Sequence, residues 1–215
     1  MNKRTIVFGD VHGCWDELQS LLAAVAPSPE ETLVSVGDLI GKGPDSAAVL
    51  DWAMKTPNLI GVLGNHELRF LDAWRAGRLP SEKEYDAETL RQLGGKWDRY
   101  MRYLSGWPMF IDLPSALVVH GGFDASKGGP AEHAPAVLAN LRTLEDGTPW
   151  YERYFAKKPV IFGHWVHRNP VLRPNVVGLD TGCVFGGALT AVVLPERRLV
   201  CVPARKAYRA RSKWN

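Results

Sequence analysis

The chain has 215 residues, of which 46% are hydrophobic, 23% charged and 10% aromatic, with a formal net charge of +3. That length suffices for one well-buried domain carrying at most a modest insertion, and the composition excludes a disordered, repetitive or collagen-like chain. Cys14, Cys183 and Cys201 are odd in number and scattered; they lack the paired spacing of a disulfide framework or a thiolate zinc site, which points to a reducing cytoplasm with the thiols as small apolar fillers. In chain order, residues 5–8 (Thr-Ile-Val-Phe) read as a buried strand that ends at Gly9-Asp10. The run is too brief for a signal-peptide core or a membrane span, so no membrane partner is expected.

Leu18, Leu21, Leu22 and Val25 follow at i, i+3, i+4 and i+7, the spacing of an amphipathic helix. Residues 32–36 make a second strand. Gly43-Pro44 suits a helix start, with Ala47, Leu50 and Met54 at helical spacing behind it, and residues 59–63 make a third strand ending at Gly64. A helix from His66 to about Ala76 closes at Gly77, and residues 79–108 read as a mostly helical insertion in a single domain spanning 1–215. In the second half, 116–119, 159–162, 176–179, 189–193 and 199–202 are short apolar runs, expected as strands of a second sheet. Strands alternating with helices imply parallel pairing, so the strand ends share one rim. The architecture expected is α/β, a two-sheet β sandwich flanked by helices in α-β-β-α layers.

The residues just past the strands carry the chemistry. Asp10 and His12 stand in "GDVHG", Asp38 in "GDLIGKGP", Asn65, His66 and Glu67 in "GNHE", His120 in "VVHGGF" and His164 in "IFGHW". The first three motifs are separated by 28 and 27 residues, each about one strand-helix-strand unit of roughly 30 residues. One rim therefore collects carboxylates, an amide and imidazoles. Such a mixed set suits divalent ions of intermediate hardness, and two ions need one shared carboxylate, for which Asp38 is central in the order.

These motifs resemble, in order and spacing, the signature of the phosphoprotein phosphatase superfamily of calcineurin-like metallophosphoesterases, and within it the ApaH-like diadenosine tetraphosphate hydrolase group. The likeness runs from Ile6 to about Val166 and continues into "GLDTGCVFGGALTAVVL". The resemblance implies that Asp10 and His12 hold one metal, that Asp38 bridges, and that Asn65, His120 and His164 hold the other. Manganese is the ion expected, with iron, zinc, cobalt or nickel as substitutes. It further implies that His66 is the general acid and that Lys42 and Arg142 grip phosphoryl oxygens, while a water made acidic by the ions attacks in line.

One departure bears on the substrate. Protein phosphatases of this superfamily usually carry Asp-Arg where this chain has Gly41-Lys42. Lys42 keeps the charge but loses the bidentate fork, and Gly41 removes the carboxylate that would support the His66 imidazolium. A weakened acid suits a nucleotide leaving group better than a serine alkoxide. The expected reaction is therefore hydrolysis of a phosphoanhydride, symmetric cleavage of diadenosine tetraphosphate to ADP, and Gly41→Asp combined with Lys42→Arg should shift turnover toward phosphopeptides. A serine/threonine or tyrosine protein phosphatase is the alternative, followed by hydrolysis of an RNA cap and a non-catalytic nucleotide-binding module.

Three further features allow a plainer reading. Trp97, Tyr100 and Tyr103 beside Lys96, Arg99 and Arg102 form an aromatic and a basic stripe that either stacks adenine or packs on the domain, with packing the better reading. Arg205, Lys206, Arg209, Arg211 and Lys213 make a basic end of the chain, read as a solvated terminus. His133, His167 and Glu67 are expected to play no part in metal binding, Glu67 ordering its loop instead.

Overall fold

Two five-stranded sheets lie face to face in the structure, a computed structural model that describes residues 4–211. The elements are β1 (Thr5–Phe8), α1 (Trp15–Val25), β2 (Thr32–Ser35), α2 (Ser46–Lys55), β3 (Leu59–Gly61), α3 (Asn65–Arg75), α4 (Asp86–Leu93), α5 (Trp97–Leu104), β4 (Phe110–Asp112), β5 (Leu117–Val119), α6 (Pro135–Asn140), β6 (Val160–Phe162), β7 (Val171–Arg173), β8 (Val176–Gly178), β9 (Ala188–Leu194) and β10 (Arg198–Pro203). The first sheet runs β10-β9-β1-β2-β3, the second β4-β5-β6-β8-β7. β1, β2 and β3 are mutually parallel, as are β5, β6 and β8. Each sheet thus sends three parallel strand ends to the same edge of the sandwich.

Alternation along the strands explains the layering. Val7, Val34 and Val36 point between the sheets, where they meet Val118, Ile161 and Val177. Ile6, Phe8 and Leu33 point the other way, onto Leu18 and Leu21 of α1, Leu50 of α2 and Met101 of α5. The outer face of the second sheet is covered by Leu138 of α6 and by the aromatic group Phe123, Trp150, Tyr151 and Tyr154. α2 begins at an Asp45 cap, whose side chain accepts from the Ala48 N–H at 2.9 Å. Its buried face is Ser46, Val49, Leu50 and Ala53, turned from the Ala47-Leu50-Met54 line that the spacing suggested.

Sheet membership differs from expectation in two places. β9 and β10 join the first sheet, β9 pairing antiparallel with β1 and β10 with β9. β9 buries both faces, Leu189, Ala191 and Val193 toward the helices and Val192 and Leu194 between the sheets; an all-apolar strand needs a central place but does not name its neighbour. The second sheet is instead completed by β4 and β7, three-residue antiparallel edges whose half-exposed side chains carry no apolar pattern. Residues 79–108 hold α4, one 3-10 turn and α5. No helix of the described residues is long and apolar enough to cross a membrane.

Candidate metal centre and its cations

The strand ends converge as a single polar cluster. Asp38, past β2, is the hub: its Oδ2 lies 3.4 Å from His120 Nε2, 3.5 Å from His12 Nε2 and 3.9 Å from His66 Nε2. Asn65, the first residue of α3, places Oδ1 3.1 Å from His120 Nε2 and 2.9 Å from His164 Nδ1. Asp10 accepts from the His164 N–H at 3.1 and 3.2 Å. Asp10, His12, Asp38, His66 and His120 are all buried. The Gly before Asn65 permits this approach, since a Cβ at Gly64 would stand 2.1 Å from Asp38 Oδ1.

Backbone carbonyls set the ring tautomers. His12 Nδ1–H donates to Ile40 O at 3.2 Å, and His120 Nδ1–H to Val36 O at 2.7 Å, so both rings turn Nε2 toward Asp38. His12, Asp38, Lys42 and His164 all adopt left-handed backbone, with φ of 49°, 52°, 63° and 62°. Bulky residues rarely accept such φ values, and four together in one cluster mark strain held for function.

The charges follow from this burial. Burial, then the Lys42 ammonium, drives His12 down to about 3, and burial with His120 and Arg142 does the same to His164. For His120 burial acts downward too, but the Asp38 and Asp10 carboxylates prevail and hold it up at about 10. Asp10 is raised well above the carboxylate range by burial and by the Asp180 carboxylate, whereas Asp38 is held well below it by the imidazoles despite its burial. His12 and His164 are thereby neutral and Asp38 ionised, as a divalent ion requires of its ligands, whereas His120 and Asp10 would have to release a proton as an ion binds. The donor atoms form two overlapping groups, His12-Asp38-His66 and Asp10-Asp38-His120, each with all atoms within 4.8 Å of one another and both containing Asp38. Asp10 lies within this distance of His120 and Asp38.

Lys42 and Arg142 sit at the edge. Lys42 Nζ donates to His12 Nε2 at 2.9 Å, and Arg142 Nε to His164 Nε2 at 3.2 Å. His66 is tied through its backbone N–H to Asp38 Oδ1 at 3.0 Å and stacks on Tyr85, ring centroids 5.4 Å apart. Its Nδ1 is buried without a hydrogen-bond partner. A Cβ at Gly41, whose φ is +87°, would lie 2.5 Å from that nitrogen. No side chain enters at position 41 unless His66 moves, so the double replacement by Asp and Arg does not simply restore a phosphatase site.

Glu67 accepts from the backbone N–H groups of Asp38, Gly64 and Ile40 at 2.8, 3.0 and 3.1 Å, and so locks the loops bearing Asp38 and Asn65 together. Tyr100 is fully buried and donates to Asp51 at 2.9 Å, and Trp97 packs on Phe70, so the aromatic stripe belongs to the core. His133 Nδ1 donates to the carbonyl of Gly129, and the His167 N–H to the carbonyl of Asp180. Cys14 and Cys183 are buried, but Cys201 is exposed rather than a filler.

The sequence motifs do not single out Asp180, although it stands just past β8 and Gly178, at the same kind of strand exit as Asp10 and Asp38. It is buried beside Asp10 and Lys42. The chain end also departs from a solvated terminus: Arg205 pairs with Asp16, and Arg209 with Glu88 and the Lys42 carbonyl. Lys213 lies outside the described residues. From Asn65 a groove of about 880 Å³ leads away, lined among others by Arg69, Arg75, Arg78, Lys83 and Trp107.

The family model for calcineurin-like phosphoesterases matches residues 3–187. An asymmetrical bis(5'-nucleosyl)-tetraphosphatase, PrpE, of Halalkalibacterium halodurans is 29% identical, the alignment covering 93% of this chain and 94% of the relative. A symmetrical bis(5'-nucleosyl)-tetraphosphatase of Bordetella pertussis is 29% identical over 92% and 95%. Among solved structures, one provisionally named a diadenosine tetraphosphatase superposes with a TM-score of 0.81 at 29% identity over 95% of both chains. A serine/threonine phosphatase of Saccharomyces cerevisiae shares the fold, with a TM-score of 0.66 at 15% identity over 98% of this chain and 82% of its own.

Proposed function

The chain belongs to the calcineurin-like phosphoesterase family, and from that premise we propose that it is a metal-dependent hydrolase of dinucleoside polyphosphates, cleaving diadenosine tetraphosphate symmetrically to two ADP. The tetraphosphatase relatives spanning nearly the whole chain support the substrate class. The observation that carries it furthest within the site is the partnerless His66 Nδ1 against Gly41.

Asp10, His12, Asp38, Asn65, His120 and His164 would hold two divalent ions, manganese first, with Asp38 in common. When bound, the ions supply Lewis-acid polarisation of phosphoryl oxygens and render water acidic enough to attack near neutral pH. His66 is the farthest of the three imidazoles from Asp38 Oδ2, at 3.9 Å, which leaves it for the leaving oxygen. Burial holds its pKa well down, and no carboxylate meets Nδ1, so it donates a hydrogen bond from Nε2 more readily than a whole proton. A phosphoanhydride, whose leaving oxygen is a weak base, needs no more. Lys42 and Arg142 bind the oxygens that do not react, and the groove beyond Asn65 offers cations and an indole to a departing nucleotide. Buried, unpaired Cys14 and Cys183 fit a reducing cytoplasm.

The test compares kcat/KM for diadenosine tetraphosphate with that for a phosphoserine peptide in manganese, resolving the nucleotides by chromatography. A large dinucleotide preference with ADP as sole product is expected. ATP and AMP together would overturn the symmetric cut, and a peptide preference would overturn the substrate class.

A further inference from the structure

The segment that follows β10, up to Arg211, is woven into the site. Beyond β10, Phe185 and Ala207 form an antiparallel bridge, and the N–H groups of Tyr208 and Arg209 donate to Val184 O at 2.9 and 3.0 Å. Tyr208 Oη donates to Glu17 at 3.0 Å, and Arg209 Nε donates to the carbonyl of Lys42 at 2.9 Å. The segment is therefore clamped to the turn that carries Lys42. Held so, Arg211 places its guanidinium 5.2 Å from the centroid of the Phe185 ring, while the Lys42 ammonium lies 5.5 Å from the same centroid.

We propose that Arg211 supplies the planar phosphate fork that Lys42 lacks, gripping a phosphoryl group of a polyphosphate chain next to the one attacked. The inference rests on the polyphosphate reading of the site above. Lys42 and Arg211 both lie within electrostatic reach of the buried Asp180 and of Arg142, and Asp38 and Asp10 act on Lys42 as well. Burial and the Arg142 guanidinium pull the Arg211 pKa down while Asp180 opposes them, which puts all three groups within electrostatic reach. A guanidinium meets two oxygens of one phosphoryl group in parallel, as an ammonium does not. An aromatic face behind both cations limits where they swing.

The experiment uses the manganese-loaded full chain and three variants. Arg211→Ala should lower kcat/KM for diadenosine tetraphosphate by roughly tenfold more than it lowers that for p-nitrophenyl phosphate, which offers a single phosphoryl group. It should weaken inhibition of p-nitrophenyl phosphate hydrolysis by inorganic tripolyphosphate, in excess manganese, by a similar factor. Arg211→Lys should recover only part of both effects. Arg205→Ala removes the same charge from the same segment, but its guanidinium faces Asp16, so neither readout should move. Equal losses on both substrates with tripolyphosphate inhibition intact would reduce Arg211 to an anchor and overturn the proposal. So would an Arg205→Ala effect as large as that of Arg211→Ala. Should the parent protein leave the dinucleotide uncut, the substrate reading fails, and the tripolyphosphate arm still decides the place of Arg211.

Discussion

The candidate metal ligands and the cations beside them, Lys42 against His12 and Arg142 against His164, stand on different kinds of backbone. Asp10, His12, Asp38, Asn65, His120 and His164 sit directly past parallel strands, braced by Glu67 and by carbonyls that orient their rings. Lys42 lies in the β2–α2 loop, Arg142 in a loop past α6, and Arg211 in the segment after β10. The rigid side suits ions that tolerate little error in ligand position. The cations stand on loops, where residues vary more freely than at strand ends, so substrate choice can be tested apart from the ligands, with Lys42 and Arg142 as the points of contact between the two.

The largest test of that separation is Asp38→Asn. Loss of the shared carboxylate should drop metal content below two ions per chain by elemental analysis and cut hydrolysis of every substrate roughly a thousandfold, the worth of several kcal/mol of transition-state stabilisation. Retained metal with retained turnover would remove Asp38 from the hub.

Gly41→Ala probes the seam between the two sides. With φ at +87° and His66 Nδ1 2.5 Å from the new methyl, the side chain must push His66 aside. We expect kcat to fall on the order of a hundredfold, the lower end of general-acid contributions, and stability to fall by about 1–3 kcal/mol from backbone strain. Far-UV and thermal melts separate the two effects, and an unaltered kcat would mean the position of His66 is unimportant.

The smallest effect concerns Tyr85, stacked on His66. Burial raises its pKa from 10.0 to about 12, Arg69 opposing. The unfolded phenol ionises first, so between these values the folded state binds more protons and stability falls as pH rises. Melting temperature should decline above a pH of about 10 in the parent chain and less steeply in Tyr85→Phe; parallel declines would place the alkaline lability elsewhere.

Local patterns carried what was legible in the chain. A run such as Thr5–Phe8 followed by Gly-Asp names a strand and its exit within a few residues, because burial and turn geometry act on neighbours. The ligand candidates, His66 and the parallel march of β1, β2 and β3 were readable on those terms. Glu67 was readable as a loop brace, since it stands at the fourth position of the same turn. Asp180 carries a fainter form of the same signal, with Leu179 between it and its glycine.

What tertiary structure alone decided is who meets whom at long range. The apolar run of β9 ensured two buried faces, but its pairing with β1 depends on a partner roughly 180 residues earlier. The basic end of the chain looked solvated because charge gives no address; Phe185 and the Lys42 carbonyl supplied one. The stripe of Trp97, Tyr100 and Tyr103 was compatible with ligand or core until Asp51 and Phe70 closed on it. Sequence by itself determined β1, β2 and β3, the helices between them and the residue types gathered on the rim, through interactions a few residues long, but not β4, β7 or α6. Sheet order, the partnerless His66 and the converging cations came from packing, where the free energy of each contact depends on residues far away in the chain.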